Sequence, residues 1–318
     1  MRVVLTGGVG FVGLPVARRV VHAGCELLAI VRPGREAGIL KDLGDRVTVL
    51  SQDMRDSEAL AQALKEFEPS LCLHLAWYVV PGRYPTALDN LDSVTTSVGL
   101  VRALSRTSCR RFVFVGSSAE YAPSDDGVDE QSAIEPRTLY TACKTAVSLM
   151  TAQVAAECGW TAVTARIFNI YGPREPEPRL VPSVIRALLA ARPVQLTSGA
   201  QVRDFLHVDD VADALWTVAR SELTGTVNVA SAVRTTVAAV ATEIARQVGR
   251  PDLLQFGAVP TRSPDAAPVC ARRGRLHEEL GWTPRFDLAS GLAHTIEWWK
   301  RQIRERRAEP LQSGPGGA

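Results

Sequence analysis

Arg2-Val-Val-Leu-Thr-Gly-Gly-Val-Gly-Phe-Val-Gly13 follows Met1, and its reading decides the fold. Arg2 to Leu5 is a short apolar strand and Thr6 to Gly13 a turn. The spacing predicts a helix from about Phe11 to Ala23, with Val12, Val16, Val20 and Val21 on its buried side. Pro15 falls in the first turn, where its missing N–H is tolerated. Gly24 ends the helix, and Leu27 to Val31 forms a second strand. A strand, glycine-rich turn, helix and strand within ~30 residues is the context that a dinucleotide-binding turn requires. Gly7 permits the tight turn, Gly10 lets the backbone approach a pyrophosphate, and Gly13 allows the helix to pack close to the strand. Around Phe11 and Val12 the helix N-terminus offers free N–H groups and the positive end of its dipole to phosphates.

The end of the second strand governs the choice of cofactor. A carboxylate there would accept the adenosine ribose hydroxyls and favour NAD. Here Val31 is followed by Arg32, with Arg35 nearby, so a guanidinium stands ready for a 2′-phosphate. NADP(H) is the expected cofactor, with NAD(H) possible. Val47 to Leu50 is a third strand, after which Asp53 and Met54 are placed to flank the adenine.

Further strands span Ser70 to Leu75, Arg111 to Val115, Thr161 to Ile167 and Thr226 to Val229, alternating with helices. This alternation predicts an α/β fold, a Rossmann-type doubly wound parallel sheet with a smaller, mixed α/β C-terminal substrate domain. The expected division assigns 1–172 to dinucleotide binding, with 201–231 returning to it. Residues 173–200 and 232–308 form the substrate domain, and 309–318 is a disordered Pro/Gly/Ser-rich tail. Ligands lie beyond the carboxyl ends of parallel strands. Leu75, Ala76, Ser118 and Asn169 therefore share an edge with the glycine turn.

The composition bounds the function. A 46% hydrophobic content supports a sizeable core. Lys and Arg number 36 against 34 Asp and Glu, a balance that argues against nucleic acid or a membrane surface as principal partner. No apolar run approaches the ~18 residues of a membrane helix, and no cleavable leader pattern precedes the first strand. The 6 cysteines form no Cys-x-x-Cys pair and accompany no histidine cluster, so no metal site is expected. Their apolar surroundings suit reduced thiols in a cytoplasmic protein.

Tyr140 and Lys144 stand four residues apart, on one face of a helix. A tyrosine titrates near ~10, and a close cation stabilises its phenolate, so such a pair can exchange a proton near neutral pH.

These motifs, in this order, resemble the extended short-chain dehydrogenase/reductases of the nucleotide-sugar branch. The likeness runs from Arg2 to about Lys300. It rests on Thr6 to Gly13, on Tyr140 with Lys144, on Arg166-Ile-Phe-Asn-Ile-Tyr-Gly-Pro173, on Arg203-Asp-Phe-Leu-His-Val-Asp-Asp-Val211 and on Leu280-Gly-Trp-Thr-Pro284. The resemblance implies that Tyr140 is the acid/base, and that Lys144 holds the nicotinamide ribose and depresses the tyrosine pKa. It implies that Ser118 bonds the reacting oxygen, with Ser117 as the alternative. Asn169, Arg203 and Arg262 would contact the diphosphate of a nucleotide-diphosphate sugar. It also implies a homodimer through a four-helix interface; Val147, Met150, Val154 and Ala155 give this helix an apolar edge that fits such an interface and fits core packing equally well.

One scaffold of this kind hosts several reactions. Sugar 4,6-dehydratases resemble a Thr-Asp-Glu triplet where Ser118-Ala119-Glu120 stands, so Ala119 removes the acid while Glu120 keeps the second carboxylate. The sequence resembles most the reductases of a 4-keto-6-deoxyhexose, with NADPH giving hydride and Tyr140 the proton. The alternative is a 4-epimerase with tightly bound NAD. Dehydration and a non-catalytic NADP-binding role are weaker readings.

Overall fold

A computed structural model describes residues 1–260 and 269–308. Its first half runs β1 (Arg2–Thr6), α1 (Gly13–His22), β2 (Glu26–Val31), α2 (Gly38–Lys41), β3 (Val47–Ser51), α3 (Ser57–Phe67), β4 (Leu71–His74), α4 (Asp89–Leu104), β5 (Arg111–Ser117) and α5 (Leu139–Cys158). The second half runs β6 (Thr161–Ile167), β7 (Asn169–Tyr171), α6 (Leu180–Leu189), β8 (Val194–Gln195), β9 (Val202–His207), α7 (Val208–Ala219), β10 (Gly225–Val229), β11 (Arg234–Thr236), α8 (Val237–Val248), β12 (Leu254–Gln255), α9 (Arg275–Glu278) and α10 (Leu288–Ala308).

Seven strands form one parallel sheet in the order β10-β6-β5-β4-β1-β2-β3. Val3, Val4 and Leu5 are wholly buried, as in a strand covered on both faces. One face packs against α1 and α7 through Val16, Val20, Val211 and Leu215. The other packs against α3, α4 and α5 through Leu60, Leu64, Leu100 and Val147. From β1 the chain winds outward both ways, so a crevice opens between the ends of β1 and β4. Thr6 joins them there, its Oγ1 accepting the N–H groups of Leu75 (3.2 Å) and Ala76 (3.0 Å).

A smaller sheet pairs β7 parallel and β11 antiparallel to β9. Near it, α6, α8 and α10 enclose a separate apolar cluster that includes Tyr171, Ile185, Ile244 and Trp299. Of the two placements open to the apolar edge of α5, the structure takes the core. Val147 and Ala155 are buried, and Met150 and Val154 pack with them against the sheet. The exposed apolar side chains on this flank are Leu149 of α5 with Leu91 and Val98 of α4. Because α5 is apolar on more than one side, its pattern did not distinguish inner from outer face.

Candidate active site

The glycine turn is sterically over-determined. Gly7 has φ +76°, and a Cβ there would lie 2.9 Å from the Ala76 nitrogen. A Cβ on Gly13 would clash with the Gly7 carbonyl oxygen. The chain therefore folds back tightly at Gly10, half-buried Phe11 and half-buried Val12. Helix α1 starts there with no side-chain cap and no acidic residue in its first turn. Unspent N–H groups beside a cradle that excludes side chains fit the pyrophosphate of a dinucleotide.

Arg32 and Arg35 are exposed just after β2. Asp53 is already engaged. Its carboxylate pairs with Arg55 at 2.6 Å, and those hydrogen bonds hold it down to about 2, with a smaller pull from Arg32. Met54 packs inward against the second core. Arg174 shares a cleft with Glu36, Ala37, Gly38 and Ile39, facing the segment after β2.

Helix α5 begins at a reciprocal cap between Thr138 and Thr141, which sets Tyr140 in its first turn. The Tyr140 N–H donates to the Pro85 carbonyl at 3.1 Å. Its ring meets Tyr84 edge-on at 4.8 Å and Trp77 edge-on at 6.4 Å. Part of the ring reaches the surface, but the phenol end is enclosed. Burial pushes the phenol above its ordinary value, opposed by a hydrogen bond with Ser117 and by Arg179. Lys144 is buried one turn on. Its Nζ donates to the Val115 carbonyl at 2.7 Å and lies 4.0 Å from the Trp77 ring centroid and 4.7 Å from that of Phe114. Burial pulls this ammonium down to about 7, opposed by Glu120. The expectation that Lys144 depresses the phenol is corrected in this arrangement. The ammonium is occupied by a carbonyl and two rings, and burial dominates the tyrosine.

The hydroxyl beside the phenol belongs to Ser117, whereas Ser118 opens the following 3₁₀ turn, Ser118–Glu120. Ser117 ends β5 and caps that turn, its Oγ accepting the Ala119 N–H at 3.2 Å. In an extended strand a one-residue step reverses the side a group faces, which is why the register matters. The Glu120 carboxylate is wholly buried, accepts the Ser117 N–H at 2.7 Å and pairs with Arg166 Nε at 3.2 Å. It is bound into the scaffold. With Ser117 at the head, the residues opposite a Thr-Asp-Glu triplet become Ser117-Ser118-Ala119, with no carboxylate among them.

Asn169 lies in β7 in register with Phe205 of β9, and Arg203 is two residues from Phe205, on the same face of the small sheet. Asn169 Nδ2 donates to the Asp204 carbonyl at 3.2 Å, and Arg203 Nη1 to the Val202 carbonyl at 2.8 Å. Arg262 lies outside the described residues.

The loop after β7 supplies residues that the sequence reading missed. Arg174 has φ 71°. Glu175 is buried, and its Oε2 has no hydrogen-bond partner among the described residues. Burial raises its carboxyl to about 8, opposed by Arg179 and the Gly172 backbone. The Arg179 guanidinium sits 5.7 Å from the Tyr84 ring. Trp77, Tyr84 and Arg179 come from separate segments, so no local spacing could have joined them to Tyr140.

His207, Asp209 and His294 form the grouping of metal-ligand type among the described residues. His207 Nδ1 accepts the Asp209 N–H at 3.2 Å, so its ring proton sits on Nε2, facing His294 Nδ1 at 3.3 Å. The ring thus has no lone pair turned toward an ion.

A model of the NAD dependent epimerase/dehydratase family matches residues 3–230. A UDP-glucose 4-epimerase of Mycolicibacterium smegmatis is 28% identical, covering 95% of this chain and 99% of its own. A probable dTDP-glucose 4,6-dehydratase of Sinorhizobium fredii is 26% identical, covering 96% of each. Among solved structures, MoeE5 in complex with UDP-glucose and NAD superposes with a TM-score of 0.82 at 27% identity, covering 95% of this chain and 100% of that one.

Proposed function

The chain belongs to the NAD dependent epimerase/dehydratase family, and from that premise we propose that it is a 4-epimerase of a nucleotide-diphosphate hexose, with NAD kept bound. The observation that carries this reading is the grouping of Ser117, Tyr140 and Lys144 with, among the described residues, no carboxylate free to act beside the phenol. Such a site can move one proton in step with one hydride, but it lacks the acid and base for eliminating water. Relatives that include UDP-glucose 4-epimerases support it over the reductase favoured by the sequence alone.

A bound nicotinamide supplies the hydride acceptor and donor. The cradle of Gly7, Gly10 and Gly13 and the start of α1 would hold the pyrophosphate, and Lys144 the nicotinamide ribose. As the phenolate, a form that the positive charge of an oxidised nicotinamide would favour, Tyr140 takes the proton of the C4 hydroxyl; after the ketose turns over it returns that proton to the C4 oxygen, so that the hydride would come back on the opposite face of C4. Ser117 orients the phenol and the reacting oxygen, stabilising charge as it develops there. Asn169, Arg203 and Arg262 anchor the diphosphate while the sugar turns. In this reading residues 1–172 and 201–231 serve the cofactor and 173–200 with 232–308 the sugar nucleotide. A second copy packs on the α4/α5 flank through Leu91, Val98 and Leu149, and the enzyme works in the cytoplasm.

A second reading, an NADPH-dependent 4-ketoreductase, is favoured by Arg32 and Arg35 and by the lack of a carboxylate at the end of β2. The two part on a single experiment. The protein is purified without added cofactor, its bound nucleotide is identified, and nucleotide-diphosphate hexoses are followed by NMR. The epimerase retains NAD and interconverts C4 epimers with no external reductant. Purification without NAD, together with NADPH-dependent reduction of a 4-keto sugar, would establish the reductase instead.

A further inference from the structure

We propose that Trp77 is a positioning residue that keeps the Lys144 ammonium charged and aimed within the site by presenting the face of its indole to it. Trp77 follows β4 at the crevice and places its ring centroid 4.0 Å from Nζ. That is cation–π distance, and the interaction is strongest for a desolvated cation over tryptophan. The indole is fixed from behind. Its Nε1–H donates to Asn90 Oδ1 at 2.8 Å, and Asn90, wholly buried, donates through Nδ2 to the carbonyls of Tyr84 (2.7 Å) and Ala87 (2.8 Å). One buried amide thus orients Trp77 and ties down the segment that carries Tyr84 onto Tyr140.

Among the described residues, the titratable groups around Lys144 give it no carboxylate of its own. Glu120, from the 3₁₀ turn, acts on it electrostatically, but its carboxylate is engaged by Arg166 of β6 and the Ser117 N–H. His74 of β4 is held neutral between Thr6 (2.7 Å) and Ser97 (2.8 Å), its own value pulled down to about 3 by burial and then by Lys144. Tyr140, on the same helix, keeps its proton, because burial raises it. Nζ makes one short hydrogen bond, to Val115, and faces Trp77 and Phe114.

The proposal rests on the role proposed for Lys144 and deepens it, and its test reads the ammonium itself in the protein as purified, so it can fail while that role stands. The chain has four lysines, at 41, 65, 144 and 300, so ¹³Cε labelling resolves each, with Lys144→Arg assigning the resonance. The Lys144 midpoint should lie well below the other three. Trp77→Leu should move it down by about one further pH unit, the worth of one desolvated cation–π contact. Trp77→Phe, which keeps a ring face but loses the bond to Asn90, should move it by less, and carries the test alone if the leucine variant does not fold. Circular dichroism establishes that each variant is folded. An unmoved or raised midpoint in a folded variant would show that the indole merely fills space, and would overturn the proposal.

Discussion

Lys144 and Arg166 are both buried cations near the end of β5, 3% and 2% exposed, and the protein handles them in opposite ways. Arg166 has a full partner. Its guanidinium pairs with buried Glu120 at 3.2 Å and lies 4.5 Å from the Tyr121 ring centroid. Lys144 has a carbonyl and two aromatic faces. A paired charge holds β6 to the turn after β5 and is not free to do more. A charge left without a carboxylate can respond to a ligand. Glu175 shows a third solution, since a buried acid with an unpartnered oxygen escapes the cost of burial by keeping its proton.

The contrast can be broken at either cation. Lys144→Met should lower turnover by ~10²–10⁴-fold, the range for disabling acid–base machinery, while stability is unchanged or improved. Stability also isolates the lysine. Its value falls from 10.5 to about 7 on folding, so the native state binds fewer protons, and the wild type should gain stability as pH rises from 7 toward 10.5. Denaturant titrations across that window should lose the rise in Lys144→Met, and a persisting rise would assign it elsewhere. Arg166→Met should do the reverse. It strands Glu120 and should cost ~3–5 kcal/mol of stability, with Glu120→Gln in the same chain recovering most of it. An Arg166→Met protein of wild-type stability would remove the distinction.

Glu175→Gln should have a smaller, pH-dependent effect. The carboxyl is raised from 4.5 to about 8, so its contribution is full below 4.5 and lost as pH rises through 8. Melting temperatures should show the variant gaining steadily on the wild type from pH 5 to 9. Parallel curves would mean that Glu175 is ionised in the folded protein. The smallest effect is expected at the surface, where Arg32→Ala should weaken NADPH binding by ~10-fold and leave NADH nearly unchanged. Equal losses in a calorimetric titration would show that Arg32 does not read a 2′-phosphate.

The central sheet was legible because each strand is a short apolar run and the first turn is fixed by sterics at Gly7 and Gly13. Tyr140 and Lys144 were legible because a helix brings i and i+4 together. Other features escaped for definite reasons. Ser117 and Ser118 differ by one step where β5 becomes a 3₁₀ turn, and chemistry alone does not choose between two adjacent serines. Residues 169–171 and 234–236 form strands too short to show a period. Val147 and Met150 fitted an outer edge and the core equally well, because apolar residues occur on more than one side of α5. Trp77, Asn90 and Arg179 gain meaning only from contacts across the fold.

The most direct test of the central claim is the near-ultraviolet spectrum of reduced nicotinamide in the NAD-loaded protein after a nucleotide-diphosphate hexose is added. The wild type should show a transient reduced signal and release the C4 epimer. Tyr140→Phe, with its NAD content unchanged, should show neither. A Tyr140→Phe protein that reduces its nicotinamide as fast as the wild type, or a loaded wild type that forms no reduced nicotinamide with any such sugar, would contradict proton-coupled hydride transfer at Tyr140.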